Sequence, residues 1–132
     1  TLEQEINLVK NYLELEKIRF EERLNFKIEI SKNCLSILIP PFCIQMLVEN
    51  AIKHGISNLV EGGEIIISCK ENENIIIMSV KNSGKIASKT DLGVGLQNLK
   101  RRLAIQFNGE ANYSLKEEGD YVISTITLKR KL

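Results

Sequence analysis

The chain has 132 residues, and its 18 Lys and Arg against 17 Asp and Glu leave a formal net charge of +1. This length is typical of one domain, and 43% hydrophobic residues are enough for a core without disulfides or a structural metal. The balanced charge gives no support to nucleic-acid binding, so we expect no nucleic-acid partner. One histidine and three scattered cysteines argue against a His/Cys zinc site, and they favour a reducing compartment.

The chain opens on a helix pattern. Thr1 and Gln4 have the spacing of a capping box, and apolar residues then recur every three or four positions, which predicts a helix over residues 2–21. Further apolar residues widen its surface enough to contact both this domain and a neighbour: Leu8, Tyr12, Leu15 and Ile18. Alternation over residues 24–30 then predicts a half-buried strand.

A second helix is predicted after the Pro40-Pro41 pair. Proline is tolerated in the first turn of a helix, so we expect Pro41 to open a helix that runs to His54, with Gly55 just past its end. We expect six apolar residues on its core face: Phe42, Ile44, Leu47, Val48, Ala51 and Ile52.

The second half predicts two hairpins around a third helix. Residues 64–70 and 74–81 are β-rich runs joined by a polar turn, and residues 111–116 and 121–129 form a similar pair. Between them, Gly95 leads into helical spacing that ends at Phe107. The order α–β–α–ββ–α–ββ indicates an α+β fold, a two-layer sandwich with helices on one face of a mostly antiparallel sheet.

Three polar segments have no obvious structural task. The first, residues 49–54 with the sequence ENAIKH, ends an otherwise apolar helix; a Glu49–Lys53 surface ion pair explains it about as well as a functional role does. The second, residues 80–84 with the sequence VKNSG, is also compatible with a plain strand exit. The third, residues 93–98 with the sequence GVGLQN, pairs two glycines at a helix start, where backbone N–H groups favour an anion.

In this order and context, the three segments resemble the ATP-binding catalytic domain of sensor histidine kinases. That domain belongs to the gyrase, Hsp90, histidine kinase and MutL superfamily of Bergerat-fold ATPases, and the closest likeness is to LytS/YehU-like kinases. The stretch from Pro40-Pro41 through Gln45 and segment 47–55, LVENAIKHG, resemble the N box. Segment 82–84 resembles the first glycine box, and segment 93–98, continued through Arg102 and Leu103, resembles the second. The helix over residues 2–21 also resembles the one that precedes the N box there.

The resemblance implies roles for residues of the first helix segment. Asn50 would coordinate the Mg²⁺ that bridges the phosphates of ATP, since an amide oxygen suits this hard cation. Lys53 would meet phosphate charge, and His54 would lie along the ribose or adenine edge. Glu49 would orient a nucleophile or a metal-bound water. Met46 takes the position of the water-activating glutamate of related ATPases, which suits a kinase better than a hydrolase.

The glycine boxes carry the remaining implied contacts. Asn82 takes the place of the aspartate that accepts from the adenine amino group, and it lacks the charge of a carboxylate. Gly84 would let the backbone pass close to the base. Residues 85–92 would form a short lid, with Lys85 and Lys89 as phosphate contacts or plain solvated lysines. Four residues would meet the phosphates: Gly93, Val94, Gly95 and Leu96. Arg101 and Arg102 are expected to be surface charge, and Ser124 is a further adenine contact through a water.

The resemblance also implies an organisation and partners. Residues 1–21 would link an upstream dimerisation and phosphoacceptor region to the ATP-binding domain, residues 22–132. Because His54 belongs to the N box, the acceptor histidine is expected upstream of Thr1. We expect a homodimeric full-length protein anchored in the bacterial membrane, with this domain in the cytoplasm and a response regulator downstream.

Two alternatives stay open at this point. The first is a non-catalytic nucleotide-sensing or protein-interaction module on the same fold, which Asn82 in place of aspartate favours. The second is a serine kinase of the anti-sigma type, against which the helix over residues 2–21 and the form of the N box both argue.

Overall fold

The computed structural model describes residues 1–56, 59, 62–84, 93–107 and 111–129. Within them the element order predicted from sequence is confirmed. Short 3₁₀ turns at Glu21–Arg23 and Lys32–Cys34 flank the first strand. The helices are α1 (Leu2–Phe20), α2 (Cys43–His54) and α3 (Gly93–Phe107), and the strands are β1 (Leu24–Ile30), β2 (Gly63–Asn72), β3 (Ile75–Ser83), β4 (Ala111–Glu118) and β5 (Tyr121–Lys129).

The five strands form one sheet in the order β1-β2-β3-β5-β4. Strand β1 pairs with β2 in parallel, with Ile28 opposite Ile67, and all other neighbours are antiparallel. Glu73 and Asn74, both with positive φ, form the tight turn between β2 and β3, a conformation typical of two-residue hairpins. The prediction of a mostly antiparallel sheet is therefore confirmed.

Helices cover one face of the sheet. Alternate strand residues point to that face and are buried, as is every second residue of β3 from Ile76 to Asn82. The helices add their own buried residues to this single core: Leu2, Ile6, Val9 and Leu13 from α1, Ile44, Leu47 and Val48 from α2, and Leu99 and Leu103 from α3.

The other face of the sheet is more polar. The Ser68 and Ser79 hydroxyls share a hydrogen bond of 2.7 Å across β2 and β3, and the Lys81 ammonium lies 4.4 Å from the centre of the Tyr121 ring. This alternation of buried and polar positions gives the two-layer α+β sandwich that the sequence predicted. Among the described residues, no helix has the length and apolarity needed to cross a bilayer.

Some predicted boundaries and one core assignment were wrong. Helix α1 ends at Phe20, one residue early, and α3 already begins at Gly93. Helix α2 begins at Cys43, not at Pro41, because Phe42 has a left-handed backbone with φ of 64°. The Phe42 side chain is 58% exposed, so it does not belong to the core face.

Candidate functional site

The last two turns of α2 carry the polar residues of the first segment on the less buried side of the helix. Asn50 is half-buried, whereas Glu49 and Lys53 are exposed. Their neighbours Val48 and Ala51 are buried in the core and fix the rotation of the helix. The Gln45 side-chain amide donates to the Glu49 carboxylate at 3.2 Å. The helix therefore presents an amide, a carboxylate and an ammonium together at its carboxyl end.

Asn82 is a buried polar residue in an apolar row of the sheet. It is 6% exposed on the helix-covered face of β3, with Ile65 opposite it on β2 and Val122 on β5. Its side-chain amide donates to the Ser83 carbonyl oxygen at 2.9 Å. Since burying an amide costs free energy unless its groups are hydrogen-bonded, asparagine at this position indicates a polar task.

The end of α2 and the exit of β3 meet where the backbone of Gly55 packs against the Asn82 side chain. A Cβ atom on Gly55 would overlap the Asn82 side-chain nitrogen and lie 2.6 Å from the Ala51 carbonyl oxygen. A Cβ atom on Gly84, whose φ of 125° already favours glycine, would lie 3.6 Å from the Gly55 Cα atom. The Gly84 N–H donates to the Asp120 carbonyl at 2.8 Å, which fixes the strand exit against the β4–β5 turn. The fold thus brings together the first two of the three polar segments.

The third segment opens α3. The backbone is helical from Gly93, two residues before the predicted start, so Gly93, Val94, Gly95 and Leu96 form the first turn. Three parts of the predicted site lie outside the residues that the structure describes: the side chains of residues 93–97, the side chain of His54, and the predicted lid with Lys85 and Lys89. Further along α3, Arg101 is exposed. Arg102 is half-buried and donates to the Pro41 carbonyl oxygen, so it ties α3 to the start of α2 instead of being plain surface charge.

Two other expected positions lie where the sequence put them. Ser124 is half-buried on the helix-covered face, opposite Val80, and it forms a 3.4 Å hydrogen bond with the Tyr113 hydroxyl. Met46 is half-buried against the core, one turn before Asn50. A thioether does not take up a proton at neutral pH, so this position offers no general base.

Glu5, which links α1 to α2, was not identified from the sequence. The Glu5 carboxylate accepts hydrogen bonds from the Phe42 and Ile44 backbone N–H groups, the latter at 2.6 Å. Burial, with a further contribution from Glu5, raises the pKa of the neighbouring Cys43 thiol well above its usual value. No local pattern identifies this contact, because the residues are 37 and 39 positions apart.

Tyr12 marks a second approach of α1 to α2. Burial, and then the carboxylates of Glu16 and Glu49, raise the pKa of the Tyr12 phenol to about 12, while Arg19 opposes this effect. Glu16 itself lies 3.6 Å from the Arg19 guanidinium. Because Glu49 immediately precedes Asn50, α1 lies near both ends of α2.

Relatives of the chain are sensor proteins. The sensor protein LytS of Staphylococcus saprophyticus is 34% identical over an alignment of 142 positions that covers 96% of this chain and 24% of the relative. The sensor histidine kinase/phosphatase LytS of Staphylococcus aureus is 34% identical over 126 positions, which cover 84% of this chain and 22% of the relative. The chain thus spans about a quarter of the length of these curated relatives. No family model matches it.

Solved structures with the same fold are histidine kinase domains. The catalytic domain of histidine kinase ThkA superposes with a TM-score of 0.67 at 16% identity, covering 94% of this chain and 92% of that domain. A blue-light activated histidine kinase from Erythrobacter litoralis gives 0.71 at 12% identity, covering 97% of this chain and 41% of that one. ThkA in complex with the response regulator TrrA gives 0.66 at 16% identity, covering 99% and 41%. These likenesses show the fold.

Proposed function

The chain belongs to the sensor histidine kinase family, as a relative of the LytS proteins with the fold of a histidine kinase catalytic domain, and from this premise we propose that it binds ATP with Mg²⁺ and donates the γ-phosphoryl group to a histidine located upstream of Thr1. One observation of the molecule supports this proposal most: the close contact of Gly55 at the end of α2 with Asn82 at the end of β3. It brings the segment that resembles the N box beside the segment that resembles the first glycine box, which supports a shared nucleotide site.

Asn82 is suited to recognise the adenine amino group. Its side-chain nitrogen is engaged by the Ser83 carbonyl, which orients the amide and leaves the oxygen as the acceptor for an incoming N–H. Gly55 and Gly84 carry no side chain against this amide, and the backbone of Gly55 packs directly on its nitrogen. We propose His54 as a further neighbour of the ribose or the adenine edge.

The polar end of α2 suits the phosphates and their metal. Asn50 carries an amide oxygen on a half-buried surface, a donor type that Mg²⁺ accepts, and Lys53 is one turn along with a positive charge. When bound, Mg²⁺ would neutralise phosphate charge. Backbone N–H groups of the first turn of α3, at Gly93, Val94, Gly95 and Leu96, add the anion-binding end of a helix.

Two side chains bear on whether bound ATP is hydrolysed or its γ-phosphoryl group is transferred. Met46 offers no base to activate water, so the site is expected to keep ATP until another nucleophile arrives. Glu49, exposed beside Asn50, is proposed to orient that nucleophile or a metal-bound water.

The proposal extends to the whole protein. We propose that α1 connects this domain to upstream dimerisation and phosphoacceptor helices in a homodimer anchored in the bacterial membrane, with the domain in the cytoplasm. A response regulator is proposed to take the phosphoryl group. ThkA, which shares the fold, has been solved in complex with the response regulator TrrA, which supports a partner of this class.

The experiment for phosphoryl transfer uses ATP labelled at the γ-phosphate. The chain alone is expected to bind Mg-ATP and to remain unlabelled. A longer chain that includes the upstream region is expected to form an acid-labile, base-stable phosphohistidine. Binding of ATP together with a longer chain that stays unlabelled would instead favour a non-catalytic nucleotide-sensing or protein-interaction module, the alternative that Asn82 in place of aspartate supports.

A further inference from the structure

Glu5 is a buried carboxylate that α1 directs at the start of another helix. The residue is 5% exposed, and both of its oxygens accept backbone hydrogen bonds from α2, one from Phe42 and one from Ile44. Burying a carboxylate costs free energy unless it is paired or hydrogen-bonded. The two hydrogen bonds from α2 are therefore what allows Glu5 to be buried.

Helix α2 needs this carboxylate because it lacks a cap of its own. The first N–H groups of a helix have no partner inside the helix, and a serine, threonine or aspartate side chain usually accepts from them. Phe42 occupies the capping position here, and it makes no side-chain hydrogen bond to α2. Glu5 takes over that role from a distance of 37 residues, and its negative charge also suits the positive end of the helix dipole.

The opposite end of the same helix carries the proposed nucleotide contacts. Asn50 follows Ile44 by six residues, which is about 9 Å along a helix axis. At the end of α2, Gly55 contacts Asn82 with no room for even a methyl group. A helix of 12 residues moves as a rigid rod, so a shift at its start displaces Asn50 relative to Asn82.

We propose that Glu5 is a positioning residue for the nucleotide site: it fixes α2 at its start and so sets where Asn50 lies relative to Asn82. The proposal rests on the proposed function in one respect, that Asn50 and Asn82 contact the same nucleotide. It concerns how α1 is coupled to that site. Glu5 acts through helix α2 and does not have to contact Asn50 or Asn82 itself.

The test compares three variants of the chain by calorimetric titration with Mg-ADP and by backbone amide exchange. Glu5→Gln keeps the length of the side chain but presents an NH₂ group to one of the two backbone N–H groups. Glu3→Gln removes the same charge from an exposed position in the same turn of α1. Val9→Ala opens a cavity under α1 and destabilises the fold while the cap stays intact.

We expect Glu5→Gln to weaken Mg-ADP binding roughly tenfold, which lies within the usual range for coupling between two sites of one protein. Amide exchange is expected to accelerate as far as Gly55, whose N–H bonds to Ala51. Val9→Ala and Glu3→Gln should bind like the unmodified chain at a temperature where all variants are folded. Equal affinity in Glu5→Gln and Val9→Ala would overturn the proposal.

Two further results need their own criteria: a chain that binds no Mg-ADP, and a Glu5→Gln variant that does not fold. Should the unmodified chain bind no Mg-ADP, the proposed function fails, and exchange at Gly55 alone decides the present proposal: acceleration in Glu5→Gln but not in Val9→Ala supports it, and equal rates overturn it. Should Glu5→Gln not fold, Glu5→Asp, which retains the charge at shorter reach, replaces it with the same readouts and the same criteria.

Discussion

The two ends of helix α2 are built for different purposes. At its start, the Glu5 carboxylate accepts hydrogen bonds from two backbone N–H groups, and Arg102 bonds to the preceding Pro41 carbonyl. At its other end, Asn50 and Lys53 lie on a partly open surface beside Gly55. One helix thus has a closed end whose polar groups hold the fold together and an open end whose polar groups suit a ligand. Substitutions at the closed end should act first on stability, and those at the open end first on binding.

The largest effect is expected in the core under α1. Leu13→Ala removes a fully buried side chain of α1, and we expect a loss of about 2–5 kcal/mol in the free energy of unfolding. Leu15→Ala, at a position that is 68% exposed on the same helix, is expected to change it by less than about 0.5 kcal/mol. Urea denaturation measures both. Similar values for the two variants would show that α1 is not part of the core.

At the open end, Gly55→Ala should affect stability and binding together. The added methyl group would overlap the Asn82 side chain and crowd the Ala51 carbonyl, so we expect a loss of about 1–3 kcal/mol and impaired nucleotide binding. The control is Gly119→Asn in the β4–β5 turn. There the φ of 62° suits asparagine and nothing lies within 4 Å of a Cβ atom, so little should change. Normal Mg-ADP affinity in Gly55→Ala would contradict the close contact on which the site depends.

Asn82→Asp sharpens the comparison because stability and binding should move in opposite directions. A carboxylate would face the Ser83 carbonyl oxygen without the present hydrogen bond, which is expected to cost about 1–3 kcal/mol at neutral pH. It would also accept more strongly from the adenine amino group, so affinity for Mg-ADP is expected to rise several-fold. Thermal unfolding and calorimetry measure the two effects. Weaker binding at unchanged stability would argue against Asn82 as the adenine acceptor.

The smallest effect concerns the pH dependence at Tyr12, which α1 brings near Glu49 at the open end of α2. The pKa of its phenol is about 12 in the folded chain against 10.0 as the ordinary value, chiefly because burial disfavours the phenolate. A raised pKa means that the associated stability is fully present below pH 10 and is lost as the pH rises towards 12. Ultraviolet titration of the unmodified chain against Tyr12→Phe isolates this phenol. Glu49→Gln is expected to lower its pKa, and titration of Tyr12 near pH 10 would contradict the burial.

Periodicity alone predicted most of the fold. Alternation located β1, both hairpins were found from their polar turns, and helical spacing located α1 and α3 to within a few residues. These signals are local, since each depends on which side of one element faces the core. The three polar segments were also recognisable, because their residues have no place on an apolar face.

Contacts between distant segments were not predictable in the same way. Nothing in residues 24–30 specifies that β1 pairs in parallel with β2, and nothing around Glu5 indicates that it caps a helix 37 residues away. The left-handed backbone of Phe42 escaped notice for the same reason, because the hydrogen bond from Phe42 to Glu5 belongs to the tertiary structure. The contact of Gly55 with Asn82 was not predicted, although the resemblance assigned both of their motifs to one nucleotide site.

The most direct test of the open end is the affinity of the chain and of its Asn50→Ala variant for Mg-ADP. Asn50 is half-buried on α2, and the helix makes its core contacts through other residues, so the variant is expected to unfold at nearly the same temperature. We expect one binding site in the unmodified chain and at least roughly tenfold weaker binding in Asn50→Ala, as for loss of a metal ligand. Equal affinity in the two proteins would contradict the assignment of Asn50, and no binding in either would contradict the proposed function.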